Sequence, residues 1–114
     1  MSERMYSMTF SSIYPMYIQK VERKGHTQAE LDDLITWLTG FDKTQIDAFA
    51  SDESTFPEFF DAATLNPDAS LITGVICGYR VEDIEDPLVQ KVRYLDKIVD
   101  ELARGKAIEK IKRH

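Results

Sequence analysis

Apolar residues recur at helical spacing along most of this chain, and capping residues punctuate them. Ile13, Tyr17, Ile18 and Val21 mark a first helix from about Ser12 to Lys24. Gly25 is its stop, and Pro15 is placed in its first turn, where a missing N–H costs little. Thr27 with Glu30 forms a capping box ahead of the stripe Leu31, Leu34, Ile35 and Leu38, with Trp37 at its edge. Gly40 supplies a left-handed stop. Asp42 with Gln45 opens a short helix carrying Ile46, Phe49 and Ala50. Thr55 with Glu58 opens another, carrying Phe56, Phe59, Phe60 and Ala63, before the turn Asn66-Pro67-Asp68. Asp86-Pro87 starts the longest helix, about Pro87 to Ala103, with the seam Leu88, Val92, Leu95, Ile98 or Val99, and Leu102. Gly105 ends it.

Residues 70–79 fit two patterns. Leu71, Ile72, Val75, Ile76 and Tyr79 have helical spacing, while their β-branched content also suits a short strand at 71–77. Helix is preferred, since strict alternation fails and no partner strand is evident. Gly74 and Gly78 would then share a small-residue, helix-packing face. The expected fold is mainly α: a compact bundle of about five to six short helices, the last one longest.

Composition narrows the class. The 114 residues are 43% hydrophobic and 30% charged, as in an ordinary globular protein, which excludes disordered and low-complexity readings. No repeat or linker divides them, so one helical domain over 1–114 is expected, with 1–9 a flexible arm and 106–114 a frayed basic tail. Tyr6, Met8 and Phe10 argue that part of this arm docks. Cys77 is the lone cysteine, so a reducing compartment fits. The start of the chain lacks a signal-peptide pattern, and no run approaches the roughly 20 apolar residues of a membrane span. The expectation is a cytoplasmic protein without a membrane partner.

Charge is uneven. Residues 1–26 carry net +2, residues 27–79 net −9, and residues 80–114 net +1. The acidic middle repels phosphate backbones, which disfavours nucleic acid, and any basic surface must come from the two ends.

Candidate chemistry is thin. Cys77, His26 and His114 are too few for a zinc site, and Glu82-Asp83-Glu85-Asp86 lacks the spacing and glycine of a calcium loop, so no metal is expected. Cys77 lies in an apolar run, where burial would raise its pKa, and no base stands near it in sequence. Gly74-Val75-Ile76-Cys77-Gly78 has no Gly-Lys-Ser/Thr sequel, so no nucleotide cofactor is expected. A catalytic set assembled from distant residues such as Tyr14, His26, Arg80 and Asp86 stays open.

Two features suit an interaction surface. Helices 28–39 and 43–50, joined by Gly40-Phe41-Asp42, have helix-turn-helix spacing, but Asp42, Asp47 and Asp52 oppose Lys43 alone on the second. On the last helix, Arg93, Tyr94 and Lys97 are expected to share an outer face, which Arg80 and the basic tail (Lys106, Lys110, Lys112, Arg113) would extend. A solvated face laced by Arg93–Asp96 and Asp100–Arg104 pairs is the alternative.

Three blocks carry a resemblance. They are Ile13-Tyr14-Pro15-Met16-Tyr17 leading to Lys24-Gly25, then Trp37-Leu38-Thr39-Gly40-Phe41, and a long block from Leu71 to Glu82. The last continues through Ile84-Glu85-Asp86-Pro87-Leu88 and Arg93-Tyr94-Leu95-Asp96-Lys97 to Glu101-Leu102-Ala103-Arg104-Gly105-Lys106. In these the chain resembles a bacterial family known only as the domain of unknown function numbered 2200. The resemblance implies a compact bacterial protein and brings no activity, cofactor or site residue. The expected role is a non-enzymatic module that acts through protein contacts or self-association as a homodimer. A nucleic-acid-associated regulator and a small enzyme are the alternatives.

Overall fold

The computed structural model describes residues 2–113. Among them the chain forms α1 (Ser2–Ser7), α2 (Phe10–Arg23), α3 (Gln28–Thr39), α4 (Lys43–Ser51), α5 (Phe56–Ala62), α6 (Pro87–Ala103) and α7 (Ile108–Ile111). A 3-10 turn (Pro67–Leu71) and a hairpin of β1 (Val75–Ile76) and β2 (Tyr79–Arg80) link α5 to the 3-10 turn Val81–Asp83 before α6. The longest helix, α6, is the hub, packing against α1, α2, α3, α5, α7 and β1.

The capping boxes set the helix starts as read from sequence. The Thr27 and Asp42 side chains accept from the Glu30 and Gln45 amides at 3.1 and 2.8 Å, and the N3 side chains reach back to the cap amides. Gly40 ends α3 with φ 77°, a left-handed conformation that an L side chain adopts only at a cost.

Leu31, Leu34, Ile35 and Leu38 are fully buried, as are Leu95 and Ile98 of the α6 seam. All six phenylalanines join one aromatic network. Phe59 is its centre, stacked on Phe10 at 4.5 Å and edge-on to Phe41, Phe49, Phe56 and Phe60.

Five expectations are corrected. Residues 70–79 are not a helix: Gly74, Cys77 and Gly78 have φ of 110°, 53° and 83°. Positive φ at both Cys77 and Gly78 is the pattern of a two-residue type I′ hairpin turn, and the antiparallel pairs Val75–Arg80 and Ile76–Tyr79 flank it. Gly74 and Gly78 therefore build a turn, with no helix-packing face between them.

Helix α2 starts at Phe10, two residues earlier than expected. Thr9 caps it, so Pro15 falls inside the helix, beyond the first turn. Part of the arm docks as Tyr6, Met8 and Phe10 indicate, and the docking is wider than a flexible arm implies: residues 4–8 belong to or follow α1, which packs on α5 and α6, and Phe56 N–H donates to Met8 O at 2.9 Å. The tail does not fray through 113 either. Ile111 is fully buried, and Arg113 grips Glu101; His114 lies outside the described residues. Finally, Cys77 is exposed at the hairpin turn instead of buried.

Candidate functional site

The interaction face expected on α6 divides in two. Arg93 and Lys97 turn towards the hairpin, whereas Tyr94 is only 6% exposed and sits in the core. Tyr94 is corrected as a surface residue because α6 is wrapped by other elements along most of its length, and burial alone raises its phenol pKa.

The hairpin gathers the remaining candidates. Lys97 Nζ donates to Val75 O at 3.2 Å, which holds β1 on α6. A Cβ on Gly74 would stand 3.2 Å from Lys97 Cε, so glycine there serves both the backbone bend and this contact. The Arg93 guanidinium lies 5.9 Å from the Tyr79 ring centroid, within cation–π range. Gly74 N–H donates to Glu82 Oε1, and Val81 N–H closes the loop on Gly74 O at 2.9 Å. Arg80 stays largely solvent-exposed, with only a loose 3.8 Å approach to Glu82. Five large apolar residues are exposed among those described, and Leu71, Val75 and Tyr79 are three of them. The hairpin register puts Val75 beside Arg80 on one face and Tyr79 beside the buried Ile76 on the other.

Behind Tyr79 and Arg80 opens a cavity of about 590 Å³. Its apolar walls include Met5, Met8, Ile13, Phe56, Val89 and Val92, drawn from α1, α2, α5, α6 and the link between α1 and α2. Three arginines (Arg4, Arg80, Arg93) and three aspartates (Asp83, Asp86, Asp96) also line it.

Two of those aspartates are engaged. Asp86 caps α6 by accepting from the Leu88 and Val89 amides and also accepts from Tyr6 Oη at 2.9 Å. The Val89 amide leads in holding the Asp86 carboxyl below the usual carboxylate range. Asp96 accepts from Tyr17 Oη at 2.5 Å and from Arg93 Nη1 at 2.9 Å. Burial, reinforced by Asp96, pushes the Tyr17 phenol well above its ordinary value.

The distant residues weighed for catalysis do not assemble. Arg80 and Asp86 share the cavity, but Tyr14 and His26 are not among its lining residues. Tyr14 donates to the buried Asp32, which also receives Lys43 Nζ at 2.8 Å. Burial first and Asp32 second raise the Tyr14 pKa to about 12. His26 stands 3.5 Å from Glu30. Among the described residues, no group of three His, Cys, Asp or Glu side chains has the geometry to hold a metal.

The hairpin of α3 and α4 has no basic reading face. Lys43 is held by Asp32 and Asp47, both at 2.8 Å, and Ile46 is buried. The basic ends of the sequence do meet elsewhere, since Lys20, Arg23, Lys24 and Arg104 line one concavity with Asp100 between them.

Sequence reasoning missed the cavity. Arg4, Met5 and Met8 precede any clear periodicity, and only docking of α1 brings them to Val89 and Val92. The hairpin did leave a signal in Cys77-Gly78, a dipeptide with glycine at the second turn position.

No helix among the described residues is long and apolar enough to cross a membrane. No curated protein matches the chain. A solved structure, the crystal structure of uncharacterized protein SP1917, is 41% identical, with TM-score 0.90 over 97% of this chain and 92% of that one. The family model described as an uncharacterized protein conserved in bacteria, DUF2200, matches residues 4–113, and the chain belongs to that family.

Proposed function

We infer that this protein is a non-enzymatic module that works through protein contacts, with the hairpin face as its docking surface. One observation carries the reading: Val75, more than half exposed, is paired across the hairpin with the solvent-facing Arg80, so the two share a face, and exposed Leu71 lies four residues before Val75. Arginine is a favoured anchor at interfaces because its planar fork can pair with a carboxylate through two N–H groups at once. The flanking cations Arg80 and Lys97 favour a partner that sets acidic side chains around an apolar centre. The lone, exposed thiol of Cys77 suits a reducing compartment, so the cytoplasm is the proposed location.

Self-association loses its two motives. The α6 seam is consumed within the chain, and Gly74 and Gly78 lie in a turn. The test is capture from the native bacterium with wild type and with Leu71→Asp/Val75→Asp, neither residue being part of the cavity lining. A stoichiometric protein retained only by wild type supports the reading, and equal capture by both refutes it.

A second reading rests on the concavity lined by Lys20, Arg23, Lys24 and Arg104, which would suit an anionic polymer. It requires binding to DNA or RNA at low salt that fades steeply as salt rises. The net charge of −6 works against it.

A further inference from the structure

The cavity behind the hairpin can be read without the protein-contact reading, although it shares Tyr79 and Arg80 with the hairpin. A volume of about 590 Å³ falls within the range of small-molecule pockets, roughly 300–1,000 Å³. Its walls mix large apolar side chains with a few polar groups, the usual make-up of such a site.

The polar groups select the sign of the ligand. Asp86 is spent on two helix amides and Tyr6, and Asp96 on Tyr17 and Arg93. The arginines are far from spent. A guanidinium carries five N–H donors, and Arg93 commits one nitrogen, Nη1, to Asp96. Arg80 approaches Glu82 only at 3.8 Å, beyond hydrogen-bond length, and that carboxylate already accepts from the Gly74 amide at 3.0 Å. Arg4 is exposed at the cavity and forms no ion pair among the described residues. Asp83 is the one lining carboxylate without such an engagement among the described residues, against two open arginines. Formal charges in the lining cancel, three arginines against three aspartates, but free hydrogen-bond donors outnumber free acceptors, which favours an anion. Planar guanidinium forks pair best with planar or tetrahedral oxyanions.

We propose that this cavity binds a small amphiphile, its apolar body between Met5, Met8, Ile13, Phe56 and Val92 and its oxyanion head at Arg4 and Arg80. The head is a carboxylate or a phosphate ester, since both match the same donors. Arg93, held by Asp96, sets one wall and offers its remaining N–H groups.

Calorimetric titration tests this with four ten-carbon probes: decanoate, decyl phosphate, decanol and decyltrimethylammonium. Wild type is expected to bind at least one of the two anions with one site per chain. Decanol should bind at least about tenfold more weakly, the effect of losing one charge-assisted pairing. The tighter of the two anions identifies the head. Arg4→Glu/Arg80→Glu should weaken the anion by about tenfold or more, and Val89→Trp, which narrows the cavity, should also weaken it. Each variant must keep the wild-type circular dichroism. A variant that loses it is replaced by Arg4→Gln/Arg80→Gln or Val89→Phe, for which a smaller loss is expected. Leu71→Asp/Val75→Asp, outside the cavity, should bind the anion as wild type does. Decanol binding as tightly as the tighter anion, tighter binding of the cation, no binding of any probe, or anion binding unmoved by the cavity variants would each overturn the proposal.

Discussion

Arg113 grips Glu101 with two nitrogens, Nη1 to Oε1 at 2.8 Å and Nη2 to Oε2 at 2.7 Å, and so ties the end of the chain to the middle of the fold. The Glu101 side chain is only 9% exposed, and Arg113 Nε also donates to Leu71 O at 3.0 Å. One side chain therefore links α6, the tail and the segment leading into the hairpin. Removing the carboxylate strands a largely buried guanidinium, which costs far more than loss of a surface pair. Glu101→Ala is expected to destabilise the protein by about 3 kcal/mol in urea unfolding. A loss below about 1 kcal/mol would place the pair among ordinary surface ion pairs.

Phe59 touches Phe10, Phe41, Phe49, Phe56 and Phe60, so its removal opens space that no single neighbour can fill. Phe59→Ala should cost about 3–5 kcal/mol, while Phe59→Leu, keeping most of the volume, should cost clearly less. Equal costs for the two would mean that the site collapses around the gap, contrary to the packing described.

Tyr14 titrates near 12 in the fold against 10.0 ordinarily, and Tyr17 is raised as well. The folded chain thus holds these protons more tightly than the unfolded one. Stability is fully present below pH 10.0 and falls as pH rises towards 12. Phenolate absorbance from these two tyrosines should appear together with loss of helical circular dichroism. Their ionisation at ordinary pH in a folded chain would contradict the burial of both rings.

Cys77 stands exposed at the hairpin turn. One thiol per chain should react promptly with an aromatic disulfide reagent in native buffer, and urea should change the rate little. Reaction only after unfolding would return residues 71–79 to the buried segment that their hydropathy first indicated.

The helical part of the fold was legible because its signals are local. A capping box spans four residues, and the Leu31–Leu38 stripe and the Asp86-Pro87 start lie within one element each. The hairpin was misread because Leu71, Ile72, Val75, Ile76 and Tyr79 happen to fall at helical spacing, while positive φ at Cys77 is not written in the identity of cysteine. Tyr94 was misplaced because its neighbours come from distant elements. The cavity was illegible for the same reason: Arg4 and Met5 join Val89 and Val92 only in space. Arg80, Arg93 and Lys97 were within reach of sequence reasoning, since exposed cations near an apolar run attract notice whatever the local backbone.

Whether the hairpin face docks a protein is decided by capture from the native bacterium with wild type beside Leu71→Asp/Val75→Asp. Val89→Trp, altered only in the cavity, serves as the control. A stoichiometric protein partner is expected to be held by wild type and by Val89→Trp and lost from the double variant. A partner held equally by all three, or salt-sensitive nucleic acid in place of a protein, would contradict it.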